Sequence, residues 1–408
     1  MLIKSLVRET LGVKDHKVMK VSGDISGLTV FMERKKRRKL TCSCCGGRSW
    51  IYDTLKERTW RHVPLWGIPV SIIYSPRRVD CPDCGVKVED VPWGMGKGRL
   101  TKPFIILLAT WARLLSIETV AGLFDVSWST VGAAVQHAVE YGLMHRDLSG
   151  LIYIGVDEVS RKKGHVYHTQ VYDISKKRLL WSGEGRGKET LERFFDEIGP
   201  EHTAAIKGIC CDMWAPYRDV IKERAQHATL VFDKFHLVRH LLNAVDKVRK
   251  EEARKLKREN PELLKGTKYI WLKNPWNLTP RQKQRLGHLE KMNLKINRAY
   301  LLKESFQEVW RYRHRGWAKR YLTKWFWWAT HSRLEPMRDF AWLLRRHEED
   351  ILNWFNVPID NGAVEAMNNN AKVISHRARG YRSEKWFTLI QLHCLGQLPM
   401  PEFTHRFT

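Results

Sequence analysis

Residues 151–160 read LIYIGVDEVS, an apolar run that stops at two adjacent acids, Asp157 and Glu158. A short apolar run of this kind, bounded by polar residues, is the pattern of a buried strand. The pattern returns twice: AAIKGICCDMWAPY (204–217) runs into Asp212, and ATLVFDKFHLV (228–238) runs into Asp233. Between the first two lie an alternating segment, GHVYHTQVYD (164–173), a third strand-like run, KRLLWSGEG (177–185), and an amphipathic helix, GKETLERFFDEIG (187–199). A second helix, YRDVIKERA (217–225), separates Asp212 from the last strand. Residues 149–238 therefore spell a mixed α/β core with three acids at strand ends. Cys210 and Cys211 fall within a strand and are expected to be buried as small apolar groups. A single strand-end Asp often does no more than cap the following helix. Three in under a hundred residues suggest a site.

Carboxylates at neighbouring strand ends suit hard divalent cations, which take oxygen ligands from rigid positions. Phosphoryl transfer is served by two such ions about 4 Å apart. A later acid can complete the set, and the candidate is Glu365 in IDNGAVEAMNNNAKVISHRARGYRS (359–383). Asp360 or Asn361 would cap a helix there, placing Glu365 about one turn inside it. Helical spacing then groups Glu365, Asn368, Lys372 and His376 on one face. Lys372, Arg377 and Arg379 are candidate phosphate contacts.

Outward toward the N-terminus, Cys42-x-x-Cys45 and Cys81-x-x-Cys84 form two knuckles, each followed by glycine. Zinc takes four tetrahedral thiolate or imidazole ligands, and such a turn presents two on one side. Cys44 leaves open which thiols of the first knuckle bind. GLTVFMER (27–34) alternates like a strand, a basic run spans Lys35 to Lys39, and residues 50–81 hold further short strand-like runs. SIETVAGLFDVSWSTVGAAVQHAVEYG (116–142) reads as two helices joined by a turn at Asp125–Trp128. Val120, Leu123 and Phe124 are expected to face a core against Val131, Ala134 and Val135. Ser127 or Ser129 can cap the second helix. In a helix-turn-helix that helix enters the major groove, which makes Ser129 a candidate DNA contact.

Lys and Arg number 71 against 44 Asp and Glu in 408 residues, a formal net charge of +27. A chain this basic calls for a polyanionic partner, and its 18 tryptophans suit stacking on unpaired bases. No stretch approaches the roughly 18 apolar residues that span a bilayer, and MLIKSLVRETLG lacks a secretory h-region. A cytoplasmic protein without membrane contact is expected. The charge is spread over the chain, against a membrane-surface helix. Five segments follow: a zinc-binding module (1–95), a helix-turn-helix domain (96–148), the first part of an α/β core (149–238), an all-α stretch (239–345) and a closing part of the core carrying Glu365 (346–408).

The combination CSCCGG…CPDCG, IGVDEVSRKKGHVY, CCDMWAPY, LVFDKFHLVRH and NGAVEAMNNNAKVISHRARGYRS resembles the transposases of the ISL3 family of bacterial insertion sequences, over nearly the whole chain. The resemblance implies a ribonuclease-H-like catalytic core interrupted by the helical stretch. It also implies an Asp-Asp-Glu triad: Asp157 on the first strand, Asp212 on the fourth and Glu365 on the late helix. Asp233 remains the rival second acid, and with His236 it forms an accessory Asp-x-x-His. The implied cofactors are two Mg2+ (or Mn2+) ions per site and a structural Zn2+. The implied chemistry is nicking at transposon ends followed by attack of the freed 3′-OH on target DNA. Terminal inverted repeats and target duplex are the implied partners, and pairing two ends implies at least a dimer, nucleoid-associated when DNA is bound.

Overall fold

The computed structural model describes residues 4–5, 7, 11, 13–35, 39–162, 166–257, 259–359 and 362–401. They divide into two compact units, residues 1–146 with 376–408, and residues 147–375.

The first unit begins with eight strands: β1 (His16–Asp24), β2 (Gly27–Arg34), β3 (Lys39–Thr41), β4 (Arg48–Thr54), β5 (Arg58–Leu65), β6 (Ile68–Tyr74), β7 (Arg77–Cys81) and β8 (Gly85–Val88). They form two sheets, ordered β1-β2-β6-β5 and β3-β4-β7-β8. The alternation in GLTVFMER is β2, residue for residue. Its buried Val30 and Met32 meet Trp60, Val70, Ile72 and Trp93 in one apolar cluster. The middle of the basic run, residues 36–38, lies outside the described residues.

Three helices follow: α1 (Lys102–Leu114), α2 (Ile117–Leu123) and α3 (Trp128–His145). Ser116 caps α2 and Ser127 caps α3, each hydroxyl accepting from the amide three residues on. Ser129 instead shares a 2.8 Å hydrogen bond with the capping Ser127 hydroxyl. Val120, Val131, Ala134 and Val135 are buried as expected, but Leu123 is exposed. The inward stripe of α2 runs through Ile117, Val120 and Ala121 to Phe124, which packs edge-on against Phe104. Leu123 stands one residue off that stripe. The last helix, Glu384–Leu395, sets Trp386 edge-on against Trp128 at 4.7 Å, and the His393 ring hydrogen-bonds the Ala109 carbonyl at 2.7 Å. The closing segment expected at 346–408 thus divides at residue 375 between the units.

In the second unit, β9 (Tyr153–Lys162), β10 (Val166–Asp173), β11 (Arg178–Glu184), β12 (Gly208–Cys211) and β13 (Thr229–Phe232) make one sheet, ordered β11-β10-β9-β12-β13. The first three strands pair antiparallel, whereas β9, β12 and β13 pair parallel. Every residue of β12, Cys210 and Cys211 included, is buried, as a central parallel strand covered on both faces should be. Helices α4 (Lys188–Ala205) and α5 (Ala215–Arg224) supply the parallel crossovers, and α4 kinks at Gly199, where φ reaches 76° before Pro200.

From α6 (Lys234–Leu256) the chain is helical through α7 (Lys268–Leu272), α8 (Pro280–Glu290), α9 (Lys295–Gln307), α10 (Arg315–His331), α11 (Glu335–Arg345), α12 (Glu348–Leu352) and α13 (Gly362–Arg377). Their apolar stripes join the sheet in one continuous core, with Leu241, Val245, Trp271, Phe306, Trp325 and Phe340 at its centre. Two buried charges tie the helix ends together. Glu252 on α6 accepts from the Lys295 and Ile296 amides at 2.6 and 2.8 Å, capping α9, whose own N-cap Leu294 offers no oxygen. Lys303 donates to the Trp271 and Lys273 carbonyls at 3.1 and 2.8 Å at the end of α7. No described helix is long and apolar enough to cross a membrane.

Glu252→Ala should strand two helix-terminal amides and cost about 2–4 kcal/mol of unfolding free energy. Glu252→Gln, keeping one acceptor, should recover part of that loss in urea unfolding. An alanine variant as stable as wild type would show that water caps α9 equally well.

Candidate active site

The parallel register decides where the acids stand. Gly208, Ile209 and Cys210 pair with Tyr153, Ile154 and Gly155, so two further residues along each strand set Asp212 beside Asp157. Cys211 pairs with Phe232, and the Asp233 amide donates to the Cys211 carbonyl at 2.8 Å, placing Asp233 next in the same row. Neighbouring strands lie about 4.8 Å apart, so three carboxylates line one edge of the parallel half. One expectation is corrected here. Asp157 does not end its strand, because the β9–β10 hairpin continues to the Lys162↔Val166 pair. It lies instead where the parallel partner β12 stops and leaves one side of β9 open.

Three carboxyls here titrate high, and burial is the first cause for each. Asp157 is pushed up to about 6 by burial, opposed by the Glu158 amide and His236 and reinforced by the charges of Asp212 and Asp233. Asp212 is raised by burial with Asp233 adding to it, and Glu158 by burial and then the Asp212 charge. His236 shifts upward because Asp233 Oδ2 accepts from its Nδ1 at 2.7 Å. The row therefore carries more negative charge than its solvation supports. That is an affinity for cations, and all the oxygens are hard donors.

Each carboxylate is held by a local N–H. Asp157 Oδ1 accepts from the Glu158 amide at 2.7 Å, Asp212 Oδ1 from the Trp214 amide at 3.0 Å, and Asp233 Oδ1 from the Phe235 amide at 3.2 Å. Asp233 is thus the N-cap of α6 as well as the partner of His236. On the opposite side, Asn368 Nδ2 donates to Asp157 Oδ2 at 2.5 Å, while its Oδ1 accepts from Tyr172 Oη at 2.5 Å. Tyr172 Oη also meets Gln170 Oε1, and Gln170 is the β10 residue paired with Asp157. A chain Gln170–Tyr172–Asn368–Asp157 therefore fastens α13 to the sheet. Glu365 lies one helical turn before Asn368, in the first turn of α13, with its carboxylate exposed. Its expected caps, Asp360 and Asn361, lie outside the described residues. Among the described residues Asp157, Asp212 and Glu365 do not close into a metal-sized cluster.

The sequence signal for Tyr172 and Gln170 was their i, i+2 spacing in an alternating strand, a polar residue and a phenol on the face that meets Asp157. A second pair was equally hidden: Tyr217 Oη lies 3.3 Å from Glu158 Oε1 and 2.8 Å from Thr169 Oγ1. The Arg186 guanidinium sits over Trp214 and Tyr167 and reaches Glu158 at 4.0 Å.

Cys42, Cys45, Cys81 and Cys84 do converge, with all four sulfurs within 4.8 Å of one another and Cys45 Sγ 3.5 Å from Cys81 Sγ. Zinc bonded to four thiolates at about 2.3 Å requires sulfurs about 3.8 Å apart, so the quartet fits. Gly46 and Gly85 turn the two knuckles at φ 73° and 70°, a conformation that costs glycine little. Cys44 stays outside the quartet and donates its amide to Cys42 Sγ at 3.4 Å.

Of the basic candidates, Lys372 and Arg379 are exposed. Arg377 directs Nη1 to the Arg113 carbonyl at 3.1 Å and Nη2 to that of Ala112 at 3.5 Å, so its fork serves the end of α1.

With the geometry in hand, comparisons with known proteins are specific. A family model described as Transposase matches residues 154–390, and one described as the zinc-finger of transposase IS204/IS1001/IS1096/IS1165 matches residues 29–84. The transposase for insertion sequence element IS1001 of Bordetella parapertussis is 28% identical, over 95% of this chain and 97% of its own length. The transposase for insertion sequence element IS1557 of Mycobacterium tuberculosis is 31% identical, over 88% of this chain and 86% of its own length.

Cys81→Ser should lower zinc content measured by atomic absorption from one ion per chain to near zero, and full retention would break the assignment of the quartet. For Asp157 the sign is set by a folded-state pKa of about 6 against an ordinary 3.8. Ionising it opposes folding, so its protonated form stabilises below pH 4 and that stabilisation is lost as pH rises from about 4 to about 6. Asp157→Asn should escape this loss. In chelator its stability relative to wild type should rise by up to about 3 kcal/mol across that window. A difference that is flat with pH would remove burial as the cause.

Proposed function

The chain belongs to the ISL3 family of transposases, and from that premise we propose that it binds the terminal inverted repeats of an insertion sequence and catalyses metal-dependent cleavage and transfer of DNA strands. The row of Asp157, Asp212 and Asp233, with Glu365 one turn from the Asn368 that grips Asp157, is the observation that carries the reading. The core is read as ribonuclease-H-like, supported by three antiparallel strands followed by two parallel ones, in the order β11-β10-β9-β12-β13.

Asp157, Asp212 and Glu365 are the catalytic carboxylates in this reading, and Asp233 with His236 is accessory. Their oxygens suit two Mg2+ or Mn2+ ions, which when bound would activate the attacking oxygen and stabilise the leaving one. Asp157 and Asp212 act as ligands only when ionised, and because burial raises both of them a cation there competes with a proton. Asn368 orients the Asp157 carboxylate through its grip on Oδ2. His236, which Asp233 shifts toward its protonated form, has its other ring nitrogen free of that bond to face a scissile phosphate oxygen. Lys372 and Arg379 meet backbone phosphates, which position DNA without reading sequence. Arg377 is placed to support them from the end of α1, and Ser129 opens the helix that would enter a major groove. The zinc ribbon and the helix-turn-helix reading of α2 and α3 assign residues 1–95 and 96–148 to end recognition. Residues 149–238 and 346–408 then form the catalytic core around the insertion 239–345. Pairing two ends calls for at least a dimer, acting in the cytoplasm on the nucleoid.

The test is cleavage and strand joining on DNA carrying the element's own ends, with Mg2+, for wild type, Asp212→Ala and Asp233→Ala. The triad as assigned expects a loss of at least a thousandfold for Asp212→Ala and a smaller loss for Asp233→Ala. The reverse order would move the second metal ligand to Asp233. Wild-type cutting without joining would make the chain a nuclease.

A further inference from the structure

On α10 and α11 the structure carries a cavity of about 450 Å³ that the proposed chemistry does not use. Its walls are Trp327 and Trp342, which remain 60% and 46% exposed, and its rim holds His331, Arg338 and Arg345. Trp327 is backed by a stacked His331 ring at 4.6 Å, and the Arg345 guanidinium stands 5.4 Å from the Trp342 ring centre. The lining mixes polar and apolar groups, and an indole that stays this exposed beside a cavity can serve as a stacking platform. Glu348 adds a polar demand from below: its Oε1 is buried yet has no hydrogen-bond partner. Lys319, which feels its charge, is already bonded to Glu349 Oε1 at 2.8 Å.

A buried acceptor without a donor is unfavourable, and it is satisfied by a ligand that brings N–H groups. Aromatic walls, arginines at the rim and a carboxylate acceptor inside together describe a site for an unpaired nucleobase. The rings stack on the base, the guanidiniums hold its flanking phosphates, and the carboxylate accepts from its pairing edge. Guanine suits best, since its N1–H and 2-amino group lie side by side, whereas thymine offers one N–H between two carbonyls. Position agrees with this. The residue before Glu348, His347, packs its ring edge-on at 5.3 Å against Phe232, itself the residue before Asp233, so the cavity borders a helix braced against the strand end that bears an acid.

We infer that Trp327, Trp342 and Glu348 form a pocket for an unpaired guanine of a DNA strand held out of its duplex beside the active site. This rests on the DNA-processing reading above. A second copy of the chain is the rival occupant of so aromatic a face.

The experiment measures binding of the full chain to the single-stranded pentamers TTGTT, TTITT (with hypoxanthine) and TTTTT by fluorescence anisotropy. Salt is kept at 0.3 M to suppress the sequence-independent phosphate contribution. The pocket expects the guanine pentamer to bind about tenfold more tightly than the thymine one, with hypoxanthine between. Trp342→Ala and Trp327→Ala should bring guanine down to the thymine level, and Glu348→Gln should shrink the preference below about twofold. All three side chains line an open cavity, and circular dichroism of each variant tests its fold. Equal affinities in wild type, or a preference that survives all three substitutions, overturn the pocket. Loss of self-association in Trp342→Ala with unchanged oligonucleotide affinity gives the face to a second copy and overturns it as well. A chain that cuts its ends but shows no guanine preference loses only the pocket. A preference without any cutting refutes the transposase chemistry and leaves the pocket.

Discussion

Carboxylates held a strand's width apart repel one another, and burial makes that repulsion expensive. The parallel register of β9, β12 and β13 enforces this spacing on Asp157, Asp212 and Asp233. Much of the surrounding structure answers that one constraint. Backbone amides after each acid, the Asn368 amide and the His236 ring all donate to the row. What they leave is a row of acids that gains most from an added cation.

The helical stretch between Asp212 and Glu365 has to return the chain to the same edge of the sheet. It does so through a core continuous with the strands and through two buried charges that close helix ends, Glu252 and Lys303. Buried ions of this kind add little net stability compared with apolar packing, but they penalise any arrangement that leaves them unpaired. Here they fix which helix starts against which. α13 then meets the sheet through Asn368 and Tyr172, and Glu365 is carried to within a turn of that junction.

The first unit follows a different logic. Its strands are short and its apolar clusters small, so a bound ion is a natural means of holding β3, β4, β7 and β8 together. The knuckle glycines and the amides donated to sulfur prepare the four thiols at the spacing zinc requires. Zinc ribbon and acid row are built from opposite donor chemistries, soft sulfur and hard oxygen, so a metal suited to one would not suit the other.

Local periodicity was legible because it is written in adjacent residues. The alternation of GLTVFMER, the apolar runs before Asp212 and Asp233, the two C-x-x-C spacings and the serine before α3 each became the expected element. Composition likewise pointed to a polyanionic partner. What the sequence could not carry was pairing over distance. Asn368 meets Asp157 across 211 residues, Asp157 proves to be mid-strand because β10 extends further than β12, and Leu123 turns outward because the short α2 packs along a neighbouring stripe. The four cysteines that close on one another, to the exclusion of Cys44, were chosen by the β3–β4–β7–β8 sheet. Residue types and their spacing thus determined which chemistry is possible. Packing decided which side chains meet, because a contact depends on the whole register of a sheet and the length of every helix between.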